Sequence, residues 1–150
     1  MTQAQAGSPS PWAHRLGYAG LLPFVVLAIG TWVADPEHRL AAGFALASYG
    51  AVIASFLGAI HWGLVMRDAS GQSAALLGWG VVPSLMAWLA LMLDPVLAQL
   101  LITAVLWTCF AVDRLVYPRF QAQTWLPMRL ALTLVASASC ALGAAGLVCL

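Results

Sequence analysis

Five apolar stretches, at residues 16–34, 40–66, 74–93, 96–117 and 126–150, take up nearly the whole chain, and short gaps between them hold most of its charge. A hydrocarbon core about 30 Å thick is crossed by roughly 20 helical residues at about 1.5 Å each, so every stretch can span, the second when tilted. A water-soluble helical bundle would need polar outer faces at helical period, and only 7% of the residues are charged. The expected fold is all-α: a polytopic membrane protein of five transmembrane helices filling 16–150, behind a flexible cytoplasmic arm at 1–15.

A formal net charge of +1 without any basic run argues against nucleic-acid binding. Gly7, Ser8, Pro9, Ser10 and Pro11 favour an irregular arm, and one Arg there does not make a basic transit peptide. A secretory cut after Ala34 would put Trp32 where a small residue is needed, so the first span is expected to stay. Cys109, Cys140 and Cys149 lie inside spans without metal-ligand spacing and read as small apolar fillers, with no metal site.

Five crossings place the termini on opposite sides. Arg15, Arg67, Arg114, Arg119 and Arg129 fall on the N-terminal side, against Arg39 among Asp35, Glu37 and Asp94 on the other. The positive-inside rule then makes the N-terminus cytoplasmic and the C-terminus periplasmic in a bacterial inner membrane. Trp12, Tyr18, Trp32, Tyr117 and Trp125 sit where interfacial aromatics anchor helices. Asp94-Pro95 alone links the third and fourth spans, which must be antiparallel neighbours.

The run from Gly17 to Pro23 echoes that from Gly78 to Pro83: an aromatic, a glycine, two aliphatics and a proline. The helix after each copy carries an ionisable residue near its cytoplasmic end, His61 and Asp113. A duplicated helical hairpin of parallel type, spans one-two and three-four, plus a fifth helix would account for this, as would chance similarity. Pro23 and Pro83 each remove an amide donor, freeing the carbonyls of Ala19 and Trp79 and kinking the helix. Lipid cannot satisfy those carbonyls.

Span two carries two rows of small residues at fourfold spacing: Ala47, Ala51, Ser55, Ala59 and Gly63, and Gly50, Ala54 and Gly58. Such rows let helix backbones pack closely in lipid. At about 100° per residue, His61 projects within about 20° of Gly50 and Ala54, toward another helix. His61 and Asp113 share a depth under about 10 Å from the cytoplasmic boundary, and Arg129 and Arg114 can reach that layer. A lone intramembrane carboxylate is costly, so Asp113 is expected to pair with Arg129 or His61 while Arg114 snorkels outward. Ser137, Ser139, Cys140, Gly143 and Gly146 read as a packing surface of the fifth span.

Two readings fit the polar layer: a clamp fixing helix register, or an inner-leaflet site that relays protons or binds a quinone or anionic-lipid head. Haem is disfavoured because the three His offer no opposed pair on rigid helices. No G-x-S-x-G, H-E-x-x-H or nucleotide-binding glycine loop is present, so an enzyme acting on lipid is the lesser expectation. No bound cofactor is expected beyond an eligible quinone or lipid.

The strings LGYAGLLPF, YGAVIASFLGAIHWG, GVVPSLMAWLAL and LPMRLALTLVASAS resemble an uncharacterised family of small membrane proteins that includes mitochondrial transmembrane protein 69. The resemblance covers residues 16 to about 139 and implies a five-span inner-membrane protein; it brings no activity and no site residues. Small size and small-residue faces point first to a non-enzymatic accessory, scaffold or assembly subunit in contact with lipid, a membrane-protein partner or a second copy. The alternative is a small-molecule or proton conduit built on His61, Asp113 and Arg129.

Overall fold

The computed structural model describes residues 9–68 and 73–149, and the described residues are helical almost throughout. The first span is two helices, α1 (Pro11–Ala19) and α2 (Leu22–Val33). The Ser10 hydroxyl accepts from the Ala13 amide at 3.1 Å, and Pro11 stands at a first-turn position that needs no amide partner. That start corrects the irregular arm expected up to residue 15: helix begins at residue 11, and positions 1–8 lie outside the described residues. The break between α1 and α2 falls where Pro23 withholds its amide. Tyr49 serves the opened turn, its hydroxyl donating to the Gly20 carbonyl at 2.8 Å.

Four helical segments are long and apolar enough to cross a membrane: Pro11–Val33, Pro36–Arg67, Pro95–Phe120 and Gln123–Cys149. The exception is α4 (Ala74–Ala90), apolar but only 17 residues long, where the third apolar stretch predicts helix to residue 93. Its end tightens instead into i−3 bonds, Met92 to Leu89 and Leu93 to Ala90, because Asp94 is already the cap of α5 (Pro95–Val116). The Asp94 carboxylate accepts from the amides of Val96 and Leu97 at 3.0 and 3.1 Å. The two copies of the sequence echo take different backbones, since the helix breaks before Pro23 and continues through Pro83.

The 32-residue α3 (Pro36–Arg67) is the central post and packs against α2, α4, α5 and α6 (Leu126–Cys149). Gly50, Ala51, Ala54 and Gly58 are buried along it. A Cβ at Gly58 would run into the Gly80 carbonyl, so α3 and α4 touch backbone to backbone there. Ser55 is only half-buried, and Ala59 and Gly63 are exposed with nothing within 4 Å of a Cβ at Gly63. The first small-residue row therefore turns out of the bundle toward the C-terminal end of α3, while Trp62 on the adjoining face still reaches α4, its indole N–H donating to the Leu77 carbonyl at 3.0 Å. On α6, Ser137, Ser139, Cys140, Gly143 and Gly146 all face inward.

Polarity is arranged for oil. Val26, Val33, Phe56, Leu115 and Val148 are each more than 60% exposed, whereas Thr31, His61, Gln99, Asp113 and Thr133 are nearly inaccessible. Polar side chains turn inward because acyl chains offer them no partner, Thr31 and Gln99 donating to backbone carbonyls and His61 and Asp113 meeting each other.

Candidate functional site

The polar layer lies between α3, α5 and α6. Arg129 enters it from the first turn of α6, donating through Nε at 2.9 Å and Nη2 at 2.7 Å to one carboxylate oxygen, Oδ2 of Asp113 on α5. The other oxygen, Oδ1, faces Nε2 of His61 on α3 at 3.4 Å, a distance of charge contact rather than of a well-formed hydrogen bond. His61 Nδ1 stands 3.3 Å from the Leu57 carbonyl one turn back, so both ring nitrogens look at acceptors. Trp79 of α4 lies edge-on to the ring, centroids 6.5 Å apart. His61 and Asp113 are each 1% exposed and Arg129 is 8% exposed.

The three residues meet because each helix brings its polar group in by a local device. Asp113 lies one turn from buried Cys109 and Phe110 on the inner stripe of α5, His61 continues the line of Gly50, Ala54 and Gly58, and Pro127 fixes the start of α6 just before Arg129. Arg114, one residue on from Asp113, turns about 100° away and is exposed. It does not join the layer, which corrects its place among the candidates.

Two residues enter the site that the sequence pattern does not single out. Tyr117, expected as an interfacial anchor, is only 4% exposed and stands beside the Arg129 guanidinium; its amide still bonds the Asp113 carbonyl, so it lies one helical turn beyond Asp113 on the same face, as the 3₁₀ turn Tyr117–Phe120 begins. Thr133 is one turn beyond Arg129 on the same face of α6, a signal present in the sequence as i, i+4 spacing. Trp12 and Tyr18 remain exposed, as anchors would be.

Beside the layer opens a cavity of about 670 Å³ lined by residues of α1, α2, α3, α5 and α6. Leu16, Phe24, Phe56, Ile60, Leu106 and Leu132 make up much of its wall, and its polar lining is Arg67, Tyr117, Arg129 and Thr133. Asp113 and His61 are not in that lining; they stand behind Arg129 and hold it in place. Among the described residues no three metal-ligating side chains gather.

An oil-facing exterior, helices of spanning length and charges folded inward define a multi-pass helical membrane protein. Residues 9–145 match the model of the family described as protein of unknown function DUF3429, and the chain belongs to that family. It is similar to transmembrane protein 69 of Xenopus tropicalis, 40% identical over an alignment of 98 residues that covers 60% of this chain and 36% of that protein. The chain thus spans about a third of the length of the curated relative it matches. No solved structure matches.

Proposed function

We propose that this is a non-enzymatic binding protein of the inner membrane, which holds one membrane amphiphile, a lipid or a quinone, in the cavity beside the Arg129 layer. The observation that carries this reading is the cavity itself: its volume lies within the 300 to 1,000 Å³ typical of small-molecule sites, and it is apolar except for a few convergent polar groups. Five crossings, a cytoplasmic N-terminus and a periplasmic C-terminus put the Arg67 and Arg129 end in the inner leaflet. Descent from a duplicated hairpin belongs to the same reading and is supported by the shared sequence motif alone.

A lipid-modifying enzyme would need a nucleophile beside His61, and that ring lies outside the described cavity lining. An accessory-subunit role has its own support: Ala59 and Gly63 on α3 and Gly78 on α4 are exposed small residues, the kind of position against which membrane helices pack. Purification in mild detergent followed by organic extraction and mass spectrometry tests the binding reading. One equivalent of an amphiphile is expected, and Leu132→Trp, which fills the cavity, should displace it. Protein free of any amphiphile would refute the reading, and a stoichiometric membrane-protein partner in its place would favour the accessory role.

A further inference from the structure

The polar groups lining the cavity narrow its guest. The charged residues lining it are Arg67 and Arg129, and no carboxylate is among the described lining residues. Arg67 is held across the mouth by a 3.4 Å bond from Nη2 to the Phe120 carbonyl. Arg129 spends only two of its five N–H groups on Asp113, Nε–H and one from Nη2, so up to three remain for Tyr117 and for a ligand. Asp113 offsets the charge of Arg129 while Arg67 adds a second cation to the lining, which favours an anionic guest.

A second acceptor position lies deeper. Ser55, Thr103 and Thr108 satisfy their hydroxyls on the carbonyl four residues back, at 2.9, 2.9 and 2.8 Å. Thr133 does not use the Arg129 carbonyl in that way. Its Oγ1 is buried, has no hydrogen-bond partner among the described residues, and belongs to a side chain lining the cavity. A buried hydroxyl is seldom left without a partner. One helical turn separates it from Arg129, about 6 Å along α6.

The cavity is also long. On α3 its lining runs from Arg67 to Ile53, about 21 Å at 1.5 Å per residue.

Resting on the binding reading above, we infer that the guest is an acidic lipid bound head-first: a singly charged phosphodiester or carboxylate between Arg67 and Arg129, an ester or similar acceptor on Thr133 one turn deeper, and one acyl chain along α3 toward Ile53. A quinone head has no charge to set against Arg67. A zwitterionic head would bring a trimethylammonium or ammonium group to a positive mouth.

The test uses the full-length protein, stripped of lipid in detergent and titrated with dioleoylphosphatidylglycerol, dioleoylphosphatidylcholine, decyl-ubiquinone or inorganic phosphate, with bound mass read by native mass spectrometry. One phosphatidylglycerol is expected to be held at least tenfold more tightly than phosphatidylcholine. Thr133→Val, nearly isosteric and with no hydrogen bond to the described residues to lose, should weaken it about threefold to tenfold, the worth of one hydrogen bond. Arg67→Gln should abolish the preference between the two lipids, and because Arg67 is exposed at a helix end the variant is expected to fold. Equal binding of both lipids, retention of decyl-ubiquinone alone, or wild-type affinity in both variants would overturn the acidic-lipid assignment while leaving amphiphile binding intact. Uptake of inorganic phosphate with equal avidity would overturn it in favour of a soluble anion. Failure to hold any of the four would sink the binding reading as well.

Discussion

Truncating Asp113 to leucine strands the Arg129 guanidinium, because both of its short contacts, at 2.7 and 2.9 Å, end on the one carboxylate oxygen that is lost. Arg129 is 8% exposed, so little solvent or headgroup is on hand to replace the partner. Removing one member of a buried pair costs about 3 to 5 kcal/mol, and the shallow depth of the layer argues for the lower half of that range. His61 cannot compensate, since an imidazole beside a guanidinium adds no negative charge. Replacing both members, Asp113→Leu with Arg129→Met, removes the stranded charge and should restore all but about 1 kcal/mol. Unfolding by SDS in mixed micelles, run as a double-mutant cycle, reads each term. A single mutant within about 1 kcal/mol of wild type, or a double mutant as unstable as the single, would show that Asp113 and Arg129 are not a buried pair and would remove the fixed guanidinium on which the site depends.

Three further outcomes follow from separate contacts. Gly58→Val should lower stability by about 1 to 3 kcal/mol by forcing α3 off the Gly80 carbonyl, whereas Gly63→Ala should stay within about 0.5 kcal/mol, both read by thermal unfolding in detergent. Tyr49→Phe removes the donor to the Gly20 carbonyl and should cost about 0.5 to 1.5 kcal/mol, with faster hydrogen exchange at residues 20–25. Cys149 is exposed while Cys109 and Cys140 are buried. A membrane-impermeant maleimide should therefore label Cys149 alone, from the periplasmic side of spheroplasts; labelling only after lysis would reverse the assigned orientation.

Helix positions were legible in the sequence because apolar run length reports them directly, and α3, α5 and α6 start and stop within a few residues of the expected bounds. The meeting of His61, Asp113 and Arg129 was legible for the same reason that it forms: ionisable groups at one depth in oil have few places to go but toward each other. Tyr117 was not. Its i, i+4 spacing from Asp113 points it inward, but its place at the end of an apolar run just before Pro118 is also where interfacial aromatics sit, and the second signal masks the first. The cavity was invisible too, being a space between five helices whose walls look like any other apolar face. The end of α4 failed for a subtler reason, since Leu91, Met92 and Leu93 are as hydrophobic as the helix before them and only the Asp94-Pro95 start of the next helix overrides their pattern.

The shortness of α4 reaches beyond the chain. Its 17 residues rise about 26 Å, some 4 Å less than a typical hydrocarbon core, and exposed Trp88, Leu85 and Met92 hold that flank in contact with lipid. On the five-span reading the bilayer beside it thins to match, at a fraction of a kcal/mol per ångström. Two molecules meeting along that flank would share one dimple in the membrane where apart they make two, an attraction transmitted by lipid elasticity that needs no side chain to touch another.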